Sequence, residues 1–303
     1  KGVFEYYDGL PGDGYASWAI SNHDVPRAAS RWGGPDPDSA RAKQLNALLA
    51  LLPGTVFMYQ GEELGLPDAP IPEDRRVDPA AERGSLMEGR DPSRVPMPWE
   101  KDANQAGFST ADDSWLPIPE SYHERAVSVQ DPDPDSTLNY TRRVNAWRKA
   151  NRDLADAPIE FYQKLDEPLL AFKRGKGDNQ VTALFNTTGD EVTYKISNYD
   201  LVEDITGNRL LGPGEFVEVT LPPYGMLVKS GKDKAPFPLP SGDQGHWLKT
   251  DGKPVMPKSS GPNPNWGMTA KRLLGDTGEQ RLPKLRVPPN AKPDSPGAGG
   301  LRL

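Results

Sequence analysis

The chain has 303 residues, 35% of them hydrophobic, with 30 Gly, 33 Pro and a formal charge of −7. That length suits about two domains, and an acidic chain without a basic block lacks the cations that neutralise phosphates, which argues against a nucleic-acid partner. With 0 Cys it has neither disulfides nor thiolate metal sites, and no apolar run approaches the ~18 residues that span a bilayer.

Ser17 to Ile20 is a short apolar run that ends in Ser21-Asn22-His23-Asp24. It reads as a buried strand with polar residues at its C-terminal end. After a Gly/Pro/Asp loop, Leu45, Leu48, Leu49 and Leu52 fall on one helical face. Asp38 is the expected N-cap, and Pro53-Gly54 the stop. Thr55 to Tyr59 is a second short apolar run, followed by Gln60-Gly61-Glu62-Glu63. Strand, helix and strand in this order predict a βαβ unit. In parallel α/β folds the chemistry sits where strands end.

Pro67 to Ser121 is long and irregular, and Trp99, Phe108 and Trp115 predict that it is an ordered, packed loop. A helix is expected over Ser136 to Ala150, with Tyr140, Val144 and Trp147 on its inner face. Beyond it the pattern changes to short strands: Leu169–Lys173, Val181–Asn186, Glu191–Ile196, Leu201–Ile205, Phe216–Leu221 and Met226–Lys229. Such spacing predicts a small antiparallel sandwich. From about Lys232 the chain is rich in Pro, Gly, Ser and Lys and is expected to be disordered.

His23 and Asp24 are the sharpest chemical feature. An imidazole donates to a hydroxyl and a carboxylate accepts from two more, which suits a polyol. A carboxylate near a sugar ring also stabilises an oxocarbenium-like transition state. As a bare dipeptide the pair means little, because a capping Asp beside a satisfied His is the commoner case. Glu62 and Glu63 read as strand-exit carboxylates bonded to loop amides. Asn186-Thr187-Thr188 fits a glycosylation sequon, but at a strand end.

Three segments together carry a family resemblance. Trp18-Ala-Ile-Ser-Asn-His-Asp-Val-Pro-Arg27 resembles the last signature region of family 13 glycoside hydrolases, the α-amylase superfamily. Pro53 to Gly65 is similar to the family's eighth barrel strand and its exit. Gly89-Arg-Asp-Pro-Ser-Arg-Val-Pro-Met-Pro-Trp99 resembles a segment of the α-glucosidase and oligo-1,6-glucosidase branch. The resemblance implies the C-terminal portion of a (β/α)₈ TIM barrel over residues 1–155, with strands 7 and 8. A small antiparallel β-sandwich over 156–231 and a disordered tail over 232–303 would follow. It places the transition-state-stabilising carboxylate on Asp24. Sugar binding falls on His23, on Arg94 near the non-reducing end, and on Arg27. No cofactor is implied.

A retaining mechanism needs two further carboxyl groups ~5–5.5 Å apart, and the family supplies both from strands that precede the seventh. Ser17–Ser21 stands near the start of the chain and is the seventh strand by this resemblance, so the chain is expected to lack them and to be inactive alone. The activity implied for the intact parent is removal of terminal α-linked glucose from short oligosaccharides or disaccharides. The alternatives are a transglycosylating or isomerising relative, or a non-catalytic barrel that serves as an interaction domain. A membrane partner is not expected. A cytoplasmic location is, with secretion or a periplasmic site left open.

Overall fold

The computed structural model describes residues 16–33, 39–82, 89–162, 165, 168–206, 216–240, 248–250 and 253–255. Asp38, His246, Trp247, Trp266 and the stretch 256–303 lie outside them. All described residues belong to one compact unit.

The βαβ unit is present. Strand β1 (Ser17–Ala19) runs parallel to β2 (Thr55–Phe57), with Trp18 opposite Val56. Helix α1 (Ser39–Leu51) connects them. Gly54 turns the chain out of the helix at φ +73, and a Cβ there would lie 2.3 Å from the Ala16 carbonyl oxygen. No side chain fits at that point, so the turn needs glycine. Both strands present alternate residues to solvent, and Phe57 is 57% exposed. Parallel strands are ordinarily covered on both faces.

Helix α1 departs from the one-faced pattern. Beyond its leucines it buries Arg41, Gln44, Asn46, Ala47 and Ala50. Its polar positions find partners instead of water. Gln44 donates to the Asn186 carbonyl at 2.7 Å, and Asn46 to the Glu62 carbonyl and to Thr141 Oγ1. A buried amide is tolerated when it is paired in this way.

Helix α2 (Thr137–Ala150) starts at the Ser136 cap, whose hydroxyl accepts from the Asn139 amide. It buries Tyr140, Val144 and Trp147 as expected. Arg148 in its last turn donates to the carbonyls of Ala50, Leu52 and Gly54. It thereby satisfies acceptors in the last turn of α1 and just beyond it, which that helix leaves without an internal partner.

Two four-stranded antiparallel sheets follow. The first has the order β3-β4-β5-β8: Ile159–Phe161, Leu169–Arg174, Val181–Asn186 and Met226–Ser230. The second contains β6 (Val192–Ile196), β7 (Val217–Leu221), β9 (Leu248–Thr250) and β10 (Lys253–Val255). Successive strand residues point to opposite faces. One face of β5 (Val181, Ala183, Phe185) packs on α1 and α2. On the other face Leu184 joins Tyr194, Ile196, Val217 and Val219 of the second sheet. All six residues of β5 are therefore buried.

Three expectations are corrected. Leu201–Ile205 is not a strand: helix α3 (Tyr199–Thr206) occupies it, with the Leu201 amide bonded to the Asn198 side chain. Leu201, Val202 and Ile205 are buried, a helical spacing that five residues could not separate from a strand by period. In the loop, Trp99, Phe108 and Trp115 are not packing residues, being 46%, 52% and 61% exposed. Order there comes from Leu64, Leu66, Ile71, Val95, Met97, Leu116 and Tyr122, which form their own apolar cluster with Leu138. The stretch expected to be disordered from Lys232 is ordered at its start. Phe237 is buried at an edge-to-face distance of 4.9 Å from Trp147, and β9 extends the second sheet. Among the described residues no helix is long and apolar enough to cross a membrane.

Candidate active site

The chain leaving β1 turns sharply at Asn22, whose side chain accepts from the Asp24 amide at 2.8 Å. This Asx turn puts His23 and Asp24 on the surface, with side chains 66% and 52% exposed. His23 Nε2 lies 3.4 Å from Asp24 Oδ2. The other carboxylate oxygen, Oδ1, accepts from two arginines, Arg90 Nη1 and Arg94 Nη2, each at 3.0 Å. Arg94 Nε also donates to the His23 carbonyl at 2.8 Å. Desolvation pushes the Asp24 carboxyl up. The Arg90 hydrogen bond and the charges of His23, Arg90 and Arg94 outweigh it and hold the group below the ordinary carboxylate value. Asp24 is thus ionised and fixed at one oxygen.

His23, Asp24 and Arg94 therefore meet, as expected from sequence. Arg27 does not join them. It is 1% exposed, and its guanidinium donates to the carbonyls of Gln60 and Ser93. It also lies over the Tyr59 ring, 5.0 Å from its centroid. Its backbone amide bonds Asp68 Oδ1 at 2.9 Å. Arg27 is expected beside the sugar-binding residues; in the fold it ties the exits of β1 and β2 to the loop that bears Arg94. Gly61 makes room for it, since a Cβ at that residue would sit 2.8 Å from Arg27 Nη1.

Glu62 and Glu63 are spoken for. Glu62 accepts from the Ser21 hydroxyl and the Tyr59 amide, and Glu63 from the Gly61 amide. Burial pushes both carboxyls up, and these hydrogen bonds and the Arg27 charge offset it only in part. His123 is half-buried, with Nδ1 against the Lys101 carbonyl. Asn186 is fully buried, with its side chain bonded to the carbonyls of Asp190 and Pro222, so the sequon is closed to modification. Asp131 and Asp133 lead into α2, their carbonyls accepting from Asn139. Among the described residues no group of three or more His, Cys, Asp or Glu could hold a metal ion.

The residue that sequence reasoning missed is Arg90. It stands four positions before Arg94 in the same segment, so the signal was present. Nothing local distinguishes which of the two arginines reaches Asp24, and in the folded chain both do.

A family model described as the α-amylase catalytic domain matches residues 3–157. A probable α-glucosidase of Rhizobium meliloti (strain 1021) is 42% identical over 215 residues, which cover 70% of this chain and 38% of that one. A glucan 1,6-α-glucosidase of Streptococcus dysgalactiae subsp. equisimilis is 32% identical over 202 residues, 60% of this chain and 37% of that one. Among solved structures, an α-glucosyl transfer enzyme aligns with a TM-score of 0.58 at 32% identity, over 76% of this chain and 41% of that one. The isomaltulose synthase of Erwinia rhapontici NX5 shares the fold, with a TM-score of 0.62 at 23% identity, over 75% of this chain and 45% of that one. The chain spans less than half the length of each of these relatives.

Proposed function

The chain belongs to the α-amylase catalytic-domain family, and from that premise we propose that it forms the C-terminal part of a retaining, exo-acting α-glucosidase. The substrates are short oligosaccharides or disaccharides ending in α-linked glucose. We read residues 1–155 as the last part of a (β/α)₈ barrel and 156–231 as an antiparallel sandwich that braces it. The observation that carries the reading is the Asp24 carboxylate, exposed at the C-terminal end of a parallel strand. One of its oxygens is held by two arginines and the other is open beside His23.

In this reading Asp24 accepts from ring hydroxyls of the terminal glucose and stabilises the positive charge that develops at the anomeric carbon. His23 donates to a neighbouring hydroxyl. Arg94 bonds the non-reducing end and, through the His23 carbonyl, fixes the turn itself. The nucleophile and the acid/base must stand ~5–5.5 Å apart. Asp78, the buried carboxylate that shares Arg90 with Asp24, is engaged by that arginine through both oxygens. We assign both to the portion of the relatives' length that this chain does not span.

A second reading is supported by the 32% identity to an α-glucosyl transfer enzyme: the same site passes glucose to a sugar acceptor instead of water. Both are tested by incubating the intact protein that carries this chain with p-nitrophenyl α-glucoside, maltose, isomaltose and sucrose. Release of free α-glucose supports hydrolysis, and a new disaccharide supports transfer. No turnover of any of the four refutes both.

A further inference from the structure

Asp78 has no place in the sequence-level account, yet its side chain is fully buried, at 0% exposure. Both of its oxygens grip one residue. Oδ2 accepts from Arg90 Nε at 2.8 Å and from the Arg90 backbone amide at 2.6 Å, while Oδ1 accepts from Arg90 Nη2 at 2.9 Å. This is a bidentate carboxylate–guanidinium fork, the geometry that fixes the guanidinium plane. The fork uses Nε and Nη2 and leaves Nη1, which donates to Asp24 Oδ1. The Arg90 bonds hold the Asp78 carboxyl well below the usual range, so the clamp carries its charge at neutral pH.

The clamp is anchored in turn. Asp91, which is 0% exposed, accepts through Oδ2 from the amides of Val77 at 2.7 Å and Asp78 at 2.9 Å. The order Asp91, Asp78, Arg90, Asp24 therefore runs from a buried loop to the exposed carboxylate without a gap. A surface arginine meant only to decorate a carboxylate needs no such support.

We infer that Asp78 is a positioning residue, which aims Arg90 at Asp24 Oδ1 and so fixes Oδ2 as the oxygen offered to the sugar. The inference rests on the α-glucosidase reading for its substrate but not for its geometry. A carboxylate free to rotate would present either oxygen. One locked by Arg90 and Arg94 presents a single oxygen in a fixed direction, and fixed direction is what transition-state stabilisation requires.

The test is a double-mutant cycle in the intact protein, with Asp78→Asn, Arg90→Lys and both together, reading kcat and KM on p-nitrophenyl α-glucoside beside Tm. Lysine keeps the charge but cannot form the two-nitrogen fork on Asp78 that aims a third nitrogen at Asp24. If Asp78 acts through Arg90, each single change lowers kcat by about 10- to 100-fold with KM little altered. The double change then costs no more than either alone. Additive losses, or normal kcat in a folded Asp78→Asn protein, overturn the inference. If the wild-type protein turns over no glucoside, the functional reading has failed, and the positioning role is read instead from the carboxyl carbon resonance of Asp24. Its titration moves to higher pH in both single variants, and no further in the double, if the relay exists. An unmoved titration rejects it. Should Asp78→Asn fail to fold, Asp78→Glu takes its place in the cycle, because it keeps the charge and displaces the carboxylate that aims Arg90.

Discussion

Replacing Trp147 by phenylalanine tests how the chain beyond residue 231 is held. Trp147 is 2% exposed, and its indole nitrogen donates to the Ala235 carbonyl at 2.8 Å. It also meets Phe237 edge to face. Phenylalanine removes the donor, leaving a half-buried carbonyl without its partner at a cost near the lower end of about 1–3 kcal/mol. It also removes part of a ring from a packed cluster. Complete loss of such a ring costs about 3–5 kcal/mol, so the partial loss is worth about 1–2. The edge contact adds up to about 1 kcal/mol. The expected total is about 2–4 kcal/mol, or a Tm lower by about 5–15 °C for a unit of this size. Trp99→Phe, at a residue 46% exposed, is the control and should stay within about 0.5 kcal/mol. Ending the chain after Gly231 should cost at least as much as Trp147→Phe, because it removes Ala235, Phe237 and the β9 strand paired with β7. Thermal and denaturant unfolding of the four proteins decides the matter. Equal Tm for wild type and Trp147→Phe, or an equal loss in Trp99→Phe, would refute the packing argument.

Asp24→Asn should lower kcat by orders of magnitude in the intact protein while circular dichroism and Tm stay near wild type, since the side chain is exposed and its loss opens no cavity. Near-normal turnover would remove Asp24 from the mechanism. Glu62→Gln tests the buried carboxylate through pH. The folded-state value of Glu62 is raised by burial, so the native state binds the proton more tightly than the unfolded chain. The stabilisation from that proton is complete below the unfolded value and is lost as pH rises through the folded one. Glutamine does not titrate, so the stability of the variant relative to wild type should increase from the ordinary carboxylate range upward. A difference that stays flat between pH 4 and 7 would contradict the assignment.

Much of the fold was readable because it depends on short-range geometry. The βαβ unit announced itself through two apolar runs around a helical leucine pattern, and α2 through Tyr140, Val144 and Trp147 at helical spacing. The β5 run of six apolar or small residues has the composition of a strand covered on both faces, which the structure gives it. Where local signals were short or ambiguous, the reading failed. Five residues from Leu201 could not separate strand from helix. The aromatics of the 67–121 loop promised packing by their size alone, and solvent received them instead. Pro-rich composition after Lys232 hid the Phe237 anchor, because one aromatic carries no period.

The candidate site divides along the same line. Sequence alone determined that His23 and Asp24 end a strand and that an arginine-bearing segment follows at a distance, since the motifs are contiguous and their chemistry is local. Tertiary structure alone decided which cations serve Asp24. Arg90 and Arg94 come to it across 66 and 70 residues, whereas Arg27, three residues away, turns inward to the Gln60 and Ser93 carbonyls. The reason is physical: a guanidinium goes where the backbone leaves unpaired acceptors or a buried carboxylate within reach, and those positions are set only when the loop has settled on its own apolar core.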